Sequence, residues 1–274
     1  MKKIILTILM ICFSLPAFAA EQKQSVYDRV MKTGILRCGY EAWPPYFSLD
    51  PNTKQLTGLD KDLVDIAGRI LGLKIEYVDV TLGQDVQDLN SEKIDAMCGT
   101  GPWILSSIKY EDYTRPYSYL PEYVYGRIDE KRFARLEDMN APAVTFAAID
   151  GDVSTDLAIA DFPKAKLNSL SSVTDSSQML LNVTTRKVDA VVLDPAAVSV
   201  FEKNNPGQVK ILFKRPIAVY GKGFAVKKGE ASLLNTLNGA VDALINTGQV
   251  DPVLRKYDPA GTLYLSVANP YQAK

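Results

Sequence analysis

Residues 36–73, LRCGYEAWPPYFSLDPNTKQLTGLDKDLVDIAGRILGL, read in succession as strand, functional loop, turn and helix. Ile35-Leu36-Arg37-Cys38 is a short, mostly apolar run ending at Gly39, the pattern of a buried parallel strand. Tyr40, Trp43 and Tyr46 then crowd around Pro44-Pro45, which locks the loop and keeps its aromatics out of a helix. Asp50-Pro51-Asn52-Thr53 is turn chemistry. From Asp60, the apolar residues Leu63, Ile66, Ala67, Ile70 and Leu71 recur at helical spacing until Gly72 stops the helix. Lys74 to Val80 resumes as a strand. The unit is a βαβ beginning, and its first loop sits at the carboxyl end of a strand, where open α/β sheets bind ligands.

Upstream of this unit stands an export signal. Lys2 and Lys3 supply positive charge, Ile4 to Leu15 an apolar core, and Ala17-Phe18-Ala19 a small-residue cleavage site. Ser14 and Pro16 interrupt a segment already too short to span a bilayer. Cleavage after about Ala19 gives the segment 1–19 as signal peptide and leaves 274 less 19, or 255, residues. The mature chain is expected in the periplasm. Its 29 basic and 32 acidic residues, once Lys2 and Lys3 are removed, give no electrostatic reason to bind nucleic acid or anionic lipid. The absence of histidine removes His-dependent triads and takes away the usual ligand of a catalytic zinc. No cofactor is expected. Cys38 and Cys98 both end apolar strands and both precede glycine. In an oxidising compartment they are either a disulfide or two buried thiols, and the sequence leaves both readings open.

Downstream, Asp85 to Ser91 reads as a short helix and Lys93-Ile-Asp-Ala-Met-Cys-Gly as the next buried strand. Ser91-Glu-Lys-Ile-Asp-Ala-Met-Cys is echoed 94 positions later by Thr185-Arg-Lys-Val-Asp-Ala-Val-Val, as two like α/β lobes would require. Tyr117 to Gly126, rich in Tyr and Val, reads as an extended crossover into the second lobe, and Ile217 to Tyr220 as the return. Ala143 to Ile149 is the second lobe's first strand, with Ser154 or Thr155 as the cap of the helix after it. Ser232 to Thr247 carries an apolar face at helical spacing. The predicted domains are lobe 1 at 20–124 and 218–274 and lobe 2 at 125–217.

The ordered set of Gly39, the aromatic Pro-Pro loop, Thr57-Gly-Leu-Asp-Lys-Asp-Leu63, Thr114-Arg-Pro-Tyr117, Lys187-Val-Asp-Ala-Val-Val-Leu-Asp194 and Tyr220-Gly-Lys-Gly-Phe-Ala-Val226 resembles the family 3 periplasmic solute-binding proteins. The resemblance runs to about Tyr257. It implies the type II periplasmic binding protein fold, α/β with mixed, mostly parallel sheets in two lobes joined by two hinge crossovers. It also implies a monomeric receptor that hands a small polar metabolite, amino-acid-like or a cationic amine, to an inner-membrane ABC permease. It places Tyr40, Trp43 and Tyr46 as an aromatic ligand set, Gly99, Thr100, Gly101 and Trp103 as a carboxylate-binding loop, Asp152 at a helix start in the second lobe, and Asp194 against the ligand's ammonium. Beside these stand plainer readings: Trp43 and Tyr46 as packing, Trp103 as filler, Asp152 and Asp194 as helix caps. Glu41 reads as solvent-facing, and Asp60, Asp95 and Asp189 as structural.

One departure from the family pattern bears on the ligand. The arginine that clamps the ligand's α-carboxylate has no counterpart here; Ile104 and Ser107 occupy that segment. The sequence therefore points to a cationic amine over an ordinary α-amino acid, since aromatics with carboxylates suit an ammonium. Two other classes are weighed against a transport receptor. A dehydratase-like enzyme would use acidic groups in the cleft, with Glu41, Asp152 and Asp194 as candidates, and an exported accessory or sensing protein would use the same fold to bind a protein partner. The expectation is a binding protein rather than an enzyme.

Overall fold

A computed structural model describes residues 24–101, 103–104 and 107–267. The expected signal peptide lies outside the described residues. Helix α1 (Val26–Thr33), capped by Ser25 and ended by Gly34, leads into strand β1 (Ile35–Tyr40). The loop beyond it carries a small hairpin, β2 (Ser48–Leu49) and β3 (Leu56–Thr57), and then α2 (Leu59–Leu71). Gly72 closes α2 in the left-handed conformation at φ 66°, which a side chain rarely adopts. Strand β4 (Lys74–Asp79), α3 (Asp85–Asn90), β5 (Ala96–Thr100) and β6 (Glu111–Tyr113) follow, and β7 (Ser118–Arg127) crosses over.

The second half repeats this order with β8 (Thr145–Ile149), α4 (Val153–Asp161), β9 (Lys166–Leu170), α5 (Ser176–Thr184), β10 (Ala190–Leu193), α6 (Pro195–Glu202) and β11 (Val209–Ile211). Strand β12 (Ala218–Lys227) returns, followed by α7 (Ala231–Asn246), α8 (Val250–Tyr257) and β13 (Leu265–Ser266). The strands run in the order β4-β1-β5-β12-β7-β10-β8-β9. Within each half the pairs β1–β4, β1–β5, β8–β9 and β8–β10 are parallel, whereas the crossovers β7 and β12 pair with each other antiparallel. The chain is thus two α/β lobes, each covered by its own helices, joined through β7 and β12.

The repeat has a physical basis. Asp95 receives the Arg37 amide at 2.8 Å and donates its own amide to the Arg37 carbonyl at 2.8 Å. Asp189 does the same with Thr145 in the other half, at 2.9 and 2.8 Å. Each carboxylate, buried at Asp95 and half-buried at Asp189, is also held by arginine, Arg29 and Arg37 at Asp95 and Arg132 at Asp189. These aspartates stitch the start of one strand to its parallel neighbour, a structural task.

One local expectation is corrected. The cap of α4 is Asp152, whose carboxylate accepts from the Ser154 amide at 2.9 Å, rather than Ser154 or Thr155. An aspartate in extended backbone one residue before the helix outcompetes hydroxyls already inside its first turn. The C-terminal stretch returns as β13 against β7, and Tyr264 buries its ring 5.8 Å from that of Tyr46. Cys38 and Cys98, on adjacent strands, have Cα atoms 5.8 Å apart and bonded sulfurs.

Candidate functional site

The carboxyl ends of β1, β5, β8 and β10 converge on a cavity of about 350 Å³ between the lobes. The lobes close over it. Tyr46 on the first loop donates its hydroxyl to Asp194 Oδ1 on the second lobe at 2.7 Å. Leu82 packs into the second lobe's core, and Gly151 meets its backbone so closely that an added Cβ would stand 3.1 Å from the Leu82 carbonyl. With φ at 86°, Gly151 is required both by its conformation and by this approach.

Most of the residues expected from the sequence line this cavity, and they do so in distinct ways. Trp43, partly buried, packs against the cores of both lobes and presents the remainder of its ring to the cavity. Gly99, Thr100 and Gly101 form its floor at the end of β5. The Trp103 indole donates to the Gly221 carbonyl at 3.2 Å and leans on Tyr220, so it bridges the β5 loop to β12. Asp152 and Asp194 both line the cavity while capping α4 and α6. Asp194 Oδ1 accepts the Ala196 and Ala197 amides as well as the Tyr46 hydroxyl, so the cap and the cleft contact share one oxygen. Tyr40 corrects the sequence reading. It is buried in the first lobe against Phe47 and Tyr77 and takes no part in the cavity wall. Its position on β1 puts its ring on the core face, opposite the cleft.

Lys222, Asp60, Glu122, Asp85 and Asp156 line the cavity without having been expected there. Lys222, in the middle of β12, is 2 % exposed and lines the cavity. Its ammonium pairs with the buried Asp60 carboxylate, lies 3.3 Å from the centroid of the Tyr46 ring and 5.7 Å from that of Trp103. Asp60, read as structural at the start of α2, is therefore part of the cavity; its Oδ1 accepts from the Tyr117 hydroxyl at 3.0 Å. Glu122 reaches the cavity from β7, and Glu41 faces into it instead of solvent. The one signal available was a lysine between two glycines, Gly221-Lys222-Gly223, inside an otherwise apolar strand.

The wall is strongly acidic. Seven carboxylates face one ammonium, and no arginine lines the cavity among the described residues. Burial, with Asp85, Asp152 and Glu111 adding negative charge, pushes Glu41 up to about 8 against the pull of Lys222. Burial and then Asp194 and Asp152 hold Glu122 well above the carboxylate range. Burial also raises Asp194 and Asp152, opposed by the amides each one caps. Lys222 is lowered by burial and held back by Asp60, and Asp60 is raised by burial and held back by Lys222. Each charge of that pair is tenable because the other is present. Among the described residues no group of three or more acidic or cysteine side chains is arranged to hold a metal ion.

Residues 36–260 match the family model of the bacterial extracellular solute-binding proteins, family 3. The chain is 26% identical to the L-arginine-binding protein of Pseudomonas aeruginosa over 257 residues, covering 89% of this chain and 91% of that one. It is 24% identical over 228 residues to cyclohexadienyl dehydratase of the same organism, covering 80% and 82%. Among solved structures, an ancestral amino acid-binding protein described as a precursor of cyclohexadienyl dehydratase superposes with a TM-score of 0.73 at 28% identity, covering 85% of this chain and 99% of that one.

Proposed function

The chain belongs to the family 3 bacterial extracellular solute-binding proteins, and from that premise we propose that its cleft captures a small organic cation, an amine without an α-carboxylate. The observation that carries this reading is the wall of seven carboxylates against one already paired ammonium. An incoming ammonium would sit against Trp43, with Glu41, Glu122, Asp152 and the free oxygen of Asp194 around it. A cation–π contact there contributes about 0.5–2 kcal/mol. An α-carboxylate would meet Lys222 only in competition with Asp60, which already pairs with its ammonium, and with Asp194 beside it. That electrostatic setting supports an amine over the amino acids bound by relatives.

In this reading, the lobes close on the ligand about β7 and β12, and the closed monomer docks on an ABC permease of the inner membrane. The signal segment 1–19 is removed on export, with the predicted lobe boundaries at 124/125 and 217/218. No helix among the described residues is long and apolar enough to cross a membrane. The family is principally one of binding proteins, and we read this chain as a receptor rather than a catalyst. A thermal-shift screen of the mature protein against amines, quaternary ammonium compounds, amino acids and small carboxylates tests it. Ligand at 100 times its Kd stabilises by about 2.7 kcal/mol. A hit among amines, recovered chemically unchanged, supports the reading. A hit restricted to amino acids, or conversion of the ligand, overturns it.

A further inference from the structure

Lys222, Asp60, Tyr46 and Trp103 meet at one place on the cavity wall. The Asp60 carboxylate is fully buried and fixed from its other side by the Tyr117 hydroxyl. Gly99 makes room for it: at φ 70°, an added Cβ would fall 2.5 Å from Asp60 Oδ2. The Tyr46 ring lies under the Lys222 ammonium at 3.3 Å to its centroid, and the Trp103 ring stands 5.7 Å away. A buried carboxylate flanked by two aromatic faces is a site for an alkylammonium group. Here the alkylammonium is supplied by the chain itself.

We propose that Asp60, Tyr46 and Trp103 form an organic-cation subsite that Lys222 fills from within, so that Lys222 is the residue limiting the cleft to ligands with one cationic end. The remaining acidic wall, on the side of Glu41 and Asp152, is left for the ligand's single ammonium. A longer dication would need the place that Lys222 holds. A lysine is suited to this task because its apolar stem tolerates burial while its ammonium reaches the carboxylate. The specificity part of this inference rests on the cation reading above, whereas the existence of the subsite does not.

The test is rescue of the variant Lys222→Ala by n-propylammonium, which restores the deleted atoms from Cγ to Nζ. Removing Lys222 leaves Asp60 buried and unpaired, and Tm falls. Propylammonium chloride should raise the variant's Tm well beyond sodium chloride at equal strength, and by clearly more than it raises the parent, whose cleft offers only its remaining acidic wall. Adding Asp60→Asn to the variant should abolish the rescue. If Lys222→Ala does not fold, the refolding yield with and without propylammonium gives the same readout. Diaminoalkanes should gain about tenfold or more in affinity for Lys222→Ala over the parent. Equal Tm or yield in the two salts, or rescue that survives Asp60→Asn, overturns the subsite. Rescue without gained diamine binding overturns the specificity role. Rescue in a protein whose parent form binds no amine leaves the subsite standing and sinks the proposed function.

Discussion

The Tyr46 hydroxyl reaches across the cleft to Asp194 Oδ1 at 2.7 Å, joining the loop after β1 to the cap of α6. One oxygen thus ends a helix and holds two lobes together, because two amides and a phenol all point at it. Closure and helix capping are coupled at this atom.

Tyr46→Phe keeps the ring under Lys222 and deletes only the bond to Asp194. A hydrogen bond to a charged acceptor contributes about 1.5–3 kcal/mol, and here it exists only when the lobes are closed. The variant should shift the ligand-free population toward open forms. Small-angle scattering should show a larger radius of gyration, and ligand affinity should fall. An unchanged radius would mean that packing of Leu82 and Trp43 sets closure instead.

Breaking the Lys222–Asp60 pair from the acidic side should be costly. Asp60→Asn leaves an ammonium buried without its counter-ion, a loss of about 3–5 kcal/mol. The double variant Asp60→Asn/Lys222→Met removes both charges and should recover most of that loss. Urea denaturation of the parent, both singles and the double completes the cycle. Additive losses would show that the pair is not coupled.

The raised pKa of Glu41 gives a pH dependence of defined sign. Its folded value of about 8 exceeds the unfolded carboxylate value of 4.5, so the folded state holds a proton that the unfolded state releases. Stability should therefore be highest at and below pH 4.5 for this group and decline as pH rises toward 8. Glu111, at about 7, contributes in the same direction. Glu41→Gln should flatten the decline seen in denaturation midpoints across this window. A cationic ligand reverses the balance: its binding expels the proton from Glu41, so affinity should rise between pH 6 and 8. Calorimetry in buffers of different ionisation enthalpy would detect the released proton.

Reduction of Cys38–Cys98 should weaken the first lobe. The bond closes a loop of 60 residues between adjacent strands, for which the chain-entropy estimate is about 4 kcal/mol. Peptide mapping without reductant should find the two cysteines linked, and a thiol reductant should lower the urea midpoint. Two free thiols in the exported protein would contradict the pairing.

The first unit was readable because its signals are local. Apolar spacing, Gly72 and the Pro-Pro loop each act within a few residues, and β1, α2 and β4 follow from them. The echo between Asp95 and Asp189 was visible for the same reason, since each performs one task within one strand pair. Lys222 and Glu122 were not legible. Each sits on a crossover strand whose partner residues lie far away in the chain, 162 positions separating Lys222 from Asp60. Asp60 looked like a residue at a helix start, and nothing near it in sequence announces a buried lysine. Tyr40 failed in the opposite way: its neighbours suggested a ligand loop, but strand alternation turned its ring into the core.

The most direct test of the central claim compares pairs of molecules that differ only by the α-carboxylate: ethanolamine with serine, tyramine with tyrosine, histamine with histidine. Calorimetric titration of the mature protein with each pair measures what that one group costs in this cleft. The acidic wall and the paired lysine predict tighter binding of the amine wherever either member binds. Tighter binding of the amino acid would mean that Lys222 releases Asp60 to receive the carboxylate, and the cation account would fail.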